Sequence, residues 1–180
     1  MKPVNWCREV LPIITPAQIA RRVREMAREI RRDYFGRDPV VVGVMNGSFI
    51  FLADLIRALE MPLQLDFMSV SSYRDGTSPG ALKVTKEISC DLRNRHVIVV
   101  DDILDTGRTL RFIVRTLRQK GPATISTCTL LDKPACRQVK IRADYVGFQI
   151  PDRFVVGYGL DKGGWYRNLR FVGVFRESPS

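Results

Sequence analysis

Histidine is almost absent from this chain of 180 residues, and His96 is the only one. The four cysteines, Cys7, Cys90, Cys128 and Cys136, form no C-x-x-C pair and stand near no histidine cluster, so they read as reduced, structural thiols of a cytoplasmic protein. No run of eighteen apolar residues occurs, which argues against a membrane span. The N-terminus carries charge and Pro12 where a signal peptide needs an unbroken apolar core. Acidic residues are in short supply, 19 against 29 Lys and Arg, and the net charge of +10 should attract polyanions of any kind. Internal repeats and low-complexity segments are missing as well. At this length the simplest reading is one domain, 1–180, able to bury about 70% of its unfolded-chain surface.

What is present is organised around Val97 to Leu110. Val97-Ile98-Val99-Val100 reads as a strand covered on both faces, as in a parallel sheet, and it ends in Asp101 and Asp102. Asp105, Thr106, Gly107, Arg108 and Thr109 then turn into a helix expected over about Leu110 to Gln119. Small residues, hydroxyls and free N–H groups at a helix start make an anion cradle. Two other phosphate loops are excluded by spacing. A Walker A loop would need glycine where Asp102 stands and lysine where Arg108 stands, and Gly157-Tyr158-Gly159 lacks the third glycine of the dinucleotide fingerprint. Carboxylates beside a phosphate cradle suit a ribose 5-phosphate.

Along the rest of the chain, Thr15-Pro16-Ala17-Gln18 is a helix start, with an apolar stripe of Ile19, Val23, Met26 and Ile30 running to about Tyr34. Its arginines, Arg21 to Arg32, take the other faces and are matched locally by Glu25 and Glu29, so a solvated helix face is favoured over a nucleic-acid surface. Pro39 to Met45 is a strand, Asn46-Gly47-Ser48 a loop, and Phe49 to Leu59 a buried helix. Leu63 to Val70 is the next strand, followed by a polar segment to Gly80 and a strand-like Leu82 to Ser89, together a mobile hairpin over about 71–86. Ala123 to Leu131, Tyr145 to Ile150 and Phe154 to Tyr158 complete the strands. Strands alternating with helices early and strands alone late predict an α/β fold, a mostly parallel central sheet flanked by helices with a small β-rich hood. The core should cover about 15–175.

The stretch Val-Val-Asp-Asp-Ile-Leu-Asp-Thr-Gly-Arg-Thr, Val99 to Thr109, resembles the phosphoribosyl pyrophosphate (PRPP) signature of the type I phosphoribosyltransferases. Dispersed pieces from about Val40 to Phe175 are similar to the hypoxanthine-guanine branch of that family. The resemblance implies the type I phosphoribosyltransferase fold and transfer of a 5-phosphoribosyl group from PRPP to N9 of hypoxanthine or guanine. By the same resemblance Thr106 to Thr109 hold the 5-phosphate, Asp101 and Asp102 act on ribose hydroxyls or hydrated metal, and Asp105 takes the N7 proton. Asn46 and Gly47 fall in the loop that contacts pyrophosphate, where the family often carries a lysine that Asn46 replaces. Lys133 stands at the position that reads the purine 6-oxygen, Phe154 where the base stacks and Val155 where backbone groups meet it. Asp161, beside that purine subsite, matches a metal-holding acid near pyrophosphate, and Arg167 matches the arginine on the leaving group. Ser72 and Tyr73 fall in the lid. Taken singly, each also has an ordinary reading, as a strand-end lysine, a core aromatic, a turn acid or a surface cation.

Magnesium is the cofactor this chemistry implies, PRPP and a 6-oxopurine base are the partners, and a homodimer or homotetramer is the expected assembly, with no specific nucleic acid and no membrane. An alternative from another class is an RNA-binding regulator built on the same PRPP fold, which Asp105 and Lys133 disfavour because that family typically has tyrosine at the base position.

Overall fold

The structure is a computed structural model that describes residues 9–72 and 82–176. Its frame is a six-stranded sheet of β2 (Val40–Met45), β3 (Gln64–Ser72), β4 (Leu82–Lys86), β5 (His96–Leu104), β6 (Thr124–Asp132) and β7 (Tyr145–Gln149), in the spatial order β4-β3-β2-β5-β6-β7. All neighbours are parallel except β4, which runs antiparallel along β3 at one edge. Valine-rich β2 and β5 lie at the centre because both of their faces are covered. On β5, Ile98 and Val100 join one core while Val97 and Val99 join the other, and all four are at most 1% exposed. The same alternation places Val41 on one side of β2 and Val40, Val42 and Val44 on the other.

Helices α1 (Pro16–Tyr34) and α2 (Phe49–Leu59) cover the first face, and α3 (Arg108–Arg118) covers the second. At the start of α1 the N–H of Gln18 donates to Oγ1 of Thr15 (3.3 Å) and the N–H of Thr15 donates to Oε1 of Gln18 (2.8 Å), so the expected capping box forms with Pro16 in the first turn. Ile19, Val23, Met26 and Ile30 are buried, as their spacing requires. One arginine departs from the expected solvated face. Arg22 turns inward, where its guanidinium donates to the carbonyls of Val146 (2.8 Å) and Gly147 (3.1 Å) on β7 and pairs with Glu29 (2.9 Å). Arg31 and Arg32 pair with Glu60 and Asp33 instead of Glu25 and Glu29.

A second, three-stranded antiparallel sheet has the order β1-β9-β8, from Val10–Ile14, Val172–Phe175 and Val155–Val156. Sequence pattern predicts neither β1 nor β9. The first contains Pro12 and the second is four residues long, and each is defined by its partner at the far end of the chain rather than by its own periodicity. The expected late strands divide between the two sheets. Tyr145–Gln149 joins the main sheet parallel to β6, through a connection whose only regular piece is the 3-10 turn Pro134–Cys136, and only Val155–Val156 belongs to the small sheet. Of the lid residues, Ser72 is the last residue of β3 and Tyr73 lies outside the described residues.

Phe51 is fully buried between α1, α2 and the sheet, so Phe51→Ala should cost about 3–5 kcal/mol of stability. Urea unfolding would show this as a lower midpoint at unchanged slope; an unchanged midpoint would mean that α2 does not anchor this core.

Candidate active site

Strand order places the site. From β2 the chain moves outward to β3, then returns across β2 to β5 and continues in the opposite direction to β6 and β7. The loops at the carboxyl ends of β2 and β5 therefore diverge and leave a crevice between them, the position at which open α/β sheets bind ligands. The crevice, about 360 Å³, is lined by Val44, Met45, Gly47 and Val70 on one side and by Asp101 to Gly107, Thr109 and Leu110 on the other.

Two carboxylates stand side by side in its wall. Asp101 is 6% exposed, and its Oδ1 accepts from the N–H of Asp102 (3.0 Å); Oδ1 of Asp102 accepts from the N–H of Ile103 (2.9 Å). Burial pushes the Asp101 carboxyl well above the usual range, and the neighbouring Asp102 charge adds to it. Burial also raises Asp102, against the pull of its backbone donors and of the Arg167 guanidinium. Such a pair calls for a proton, a hydrogen-bond donor or a cation. At the other end of the same loop Gly107 adopts φ +83, ahead of the first turn of α3, and the N–H of Arg108 donates weakly to Oγ1 of Thr106 (3.4 Å). The helix begins at Arg108, two residues earlier than its apolar pattern indicates, so the amino end of α3 points its N–H groups at the loop.

The opposite wall is made by close backbone approach. A Cβ at Gly47 would lie 1.7 Å from Oδ2 of Asp102, and a Cβ at Gly159 would lie 2.1 Å from the Gly47 carbonyl oxygen. The glycines thus stack the 157–167 segment on the Asn46-Gly47 loop, and that loop on the carboxylates. The Met45–Asn46 peptide is cis, and Asn46 itself is exposed. Arg167 donates from Nη1 to the Gly159 carbonyl (2.6 Å) and from Nη2 to Oδ1 of Asp161 (2.7 Å), so these two expected site residues meet each other over the same loop. Oδ2 of Asp161 accepts the N–H of Gly164 (2.7 Å).

On the β6 side, Lys133 is buried; its N–H donates to the Leu104 carbonyl (3.0 Å) and its Nζ stands 3.6 Å from Oδ1 of Asp152. Phe154 is 60% exposed and stacks on Phe175 with centroids 6.5 Å apart, while Val155 is buried in the small sheet. Hence Asp101, Asp102, Asp105, Thr106, Gly107, Thr109 and Gly47 share one cleft, Lys133 adjoins its Leu104-Asp105 edge, and Asp161 with Arg167 close over Gly47. Asn46 and Arg108 are exposed and do not line it. Gly159, Asp152 and Arg137 were not legible as site residues, because each acts through a contact between segments distant in sequence.

A family model of the phosphoribosyl transferase domain matches residues 14–162. The chain belongs to the phosphoribosyltransferase family. Within this family it is 47% identical over 167 residues to a hypoxanthine-guanine phosphoribosyltransferase of Aquifex aeolicus, covering 92% of this chain and 94% of that one. Its structure is similar to a crystal structure of a hypoxanthine phosphoribosyltransferase from Staphylococcus aureus, with a TM-score of 0.91 at 37% identity over 98% of this chain and 97% of the other. It is also 44% identical over 165 residues to the bifunctional protein TilS/HprT of Listeria monocytogenes, covering 91% of this chain but only 26% of that protein's length.

The geometry at Gly47 makes a direct prediction for this phosphoribosyltransferase. Gly47→Ala drives a methyl group into the Asp102 carboxylate, and overpacking of this kind costs about 1–3 kcal/mol. Thermal unfolding of Gly47→Ala should show this as a lower midpoint than that of the wild type; an unchanged midpoint would mean that the Asp102 carboxylate gives way without cost.

Proposed function

We propose that the chain transfers the 5-phosphoribosyl group of PRPP to N9 of hypoxanthine or guanine, giving the nucleotide and pyrophosphate, as one phosphoribosyltransferase domain of purine salvage. The observation that carries the reading is a buried Asp101 beside a half-buried Asp102 and a loop at the start of a helix in one cleft, with a buried lysine at its edge. The N–H groups from Thr106 to Thr109 and the hydroxyls of Thr106 and Thr109 hold the 5-phosphate at the start of α3. Asp101 and Asp102 accept from the ribose hydroxyls. Asp105, at the turn between them and the phosphate loop, takes the N7 proton as N9 bonds to C1, and Arg167 with the Gly47 loop meets the departing pyrophosphate. Lys133 donates to the 6-oxygen, Val155 offers backbone groups, and exposed Phe154 offers a ring face for the base.

Magnesium fits this donor set. Asp101, Asp102 and Asp161 are hard oxygen donors, and the first two are held close enough together for their charges to need compensation. Held there, the ion would supply positive charge to balance the negative charge of the substrate and leaving group. Among the described residues no group of three His, Cys, Asp or Glu side chains converges to hold a metal. Substrate oxygens and water would then fill the rest of the shell, as is usual for magnesium. Self-association as a dimer or tetramer and a cytoplasmic setting are part of the proposal. Exposed Leu11, Ile13 and Phe49 supply apolar surface for the first, and Cys90, Cys128 and Cys136, free among the described residues, agree with the second. Among the described residues no helix is long and apolar enough to cross a membrane.

Asp105→Asn should lower kcat by about 10²-fold or more with little change in PRPP binding, since only proton acceptance is lost. Steady-state pyrophosphate release measures this, and an unchanged kcat would reject the base assignment. Base choice tests Lys133. An ammonium donates and accepts nothing, so a 6-oxo group is satisfied and the 6-amino group of adenine is not, a mismatch that can reach about 10⁴-fold. Hypoxanthine and guanine should be consumed and adenine should not, and Lys133→Ala should damage use of 6-oxopurines far more than PRPP binding. Comparable turnover of adenine by the unmodified protein would remove Lys133 from the base site.

A further inference from the structure

The phosphate loop has a back wall as well as a mouth, and one side chain dominates it. Arg137, just after the 3-10 turn Pro134–Cys136, is largely buried. Its Nη1 donates to the carbonyls of Leu104 (3.0 Å) and Asp105, and its Nη2 donates to the Asp132 carboxylate. The backbone that follows continues the wall: the N–H groups of Gln138 and Val139 donate to the Thr106 carbonyl (3.0 and 3.4 Å). Arg137 Cδ, Val139 Cγ2 and Ile141 Cγ2 occupy the space that a Cβ on Gly107 would need. The segment from Arg137 to Ile141 is therefore a mould against which the turn from Leu104 to Gly107 is cast.

We propose that Arg137 is a positioning residue that locks the phosphate loop to the purine-reading end of β6, so that the two substrates enter subsites already set in one geometry. The contacts span both subsites. The Leu104 carbonyl accepts from Arg137 and also from the N–H of Lys133, and Asp132 immediately precedes Lys133. A planar guanidinium reaches two carbonyls and a carboxylate at once; an ammonium on a flexible stem cannot hold all three. Without the fork the Asp105 carbonyl loses a charged donor and the Asp132 carboxylate stands buried without a cation, free to draw the neighbouring Lys133 ammonium from the base. Arg137 touches neither substrate in this scheme. It acts through Asp105, the 5-phosphate donors and Lys133, and so rests on the function proposed above.

The test compares Arg137→Lys, Arg137→Gln and Arg137→Ala with the wild type, with Arg142→Gln as a control at an exposed arginine of the same stretch. Thermal unfolding, the dissociation constant of ribose 5-phosphate and steady-state rates with PRPP and hypoxanthine are measured for each. Loss of a charged hydrogen bond should weaken ribose 5-phosphate about tenfold in Arg137→Gln and lower kcat/KM by about 10²-fold, with Arg137→Lys between it and the wild type. Methylguanidine should restore part of the turnover of Arg137→Ala, which general loss of stability would not allow. Should Arg137→Ala not fold, the graded losses in Arg137→Lys and Arg137→Gln carry the same inference. Wild-type constants in the folded Lys and Gln variants overturn it, as does a folded Arg137→Ala whose loss methylguanidine leaves unchanged. A wild-type protein that neither binds ribose 5-phosphate nor releases pyrophosphate would remove the proposed function and this inference with it, whereas failure confined to the variants' behaviour bears on Arg137 alone.

Discussion

A strand buried on both faces has to end where its chain can meet polar partners again, and the site depends on where β5 does so. Val97 to Val100 are sealed between α1 and α2 on one side and α3 on the other, and the next two residues are the carboxylates Asp101 and Asp102. Two adjacent acids in a buried setting are costly unless donors or cations face them. The sheet supplies that setting by opening at the point where strand order reverses. The turn before α3, the acidic pair and the Gly47 loop thus meet in one cleft as consequences of one packing arrangement.

Backbone proximity matters as much as side-chain chemistry. Gly47 lies against Asp102, and Gly159 lies against Gly47, at distances no side chain would permit. This brings the 157–167 segment, with Asp161 and Arg167, onto a loop more than a hundred residues earlier in the chain. Asn46 contributes no charge to this loop, and the field of the Arg167 guanidinium reaches Asp102.

The two sheets differ in how they arise. The main sheet grows from strands with strong local signals, each rich in β-branched residues and bounded by turn formers. The small sheet joins Val10–Ile14 to Val172–Phe175, two ends of the described chain, and neither segment specifies a strand without the other. Phe154 and Val155 are presented from this second sheet, so the base-stacking side of the proposed site rests on contacts between the chain's extremities, while Lys133 is presented by the main sheet.

The sequence by itself determined the central strand, the acidic pair, the glycine turn that follows it and the α-helices of the described residues, because each is written in local periodicity, capping residues and turn chemistry within about fifteen residues. The capping box at Thr15 and Gln18 and the apolar stripe of α1 formed as their spacing requires. Resemblance placed Lys133, Phe154, Asp161 and Arg167 among the candidate residues, but not their contacts. Tertiary structure alone decided that Arg22 turns inward to β7, that β7 joins the main sheet, that β1 and β9 exist, and that Arg137 backs the turn from Leu104 to Gly107. Each of these is a partnership between segments far apart in sequence, where hydrogen-bond satisfaction and close packing, not local preference, select the conformation.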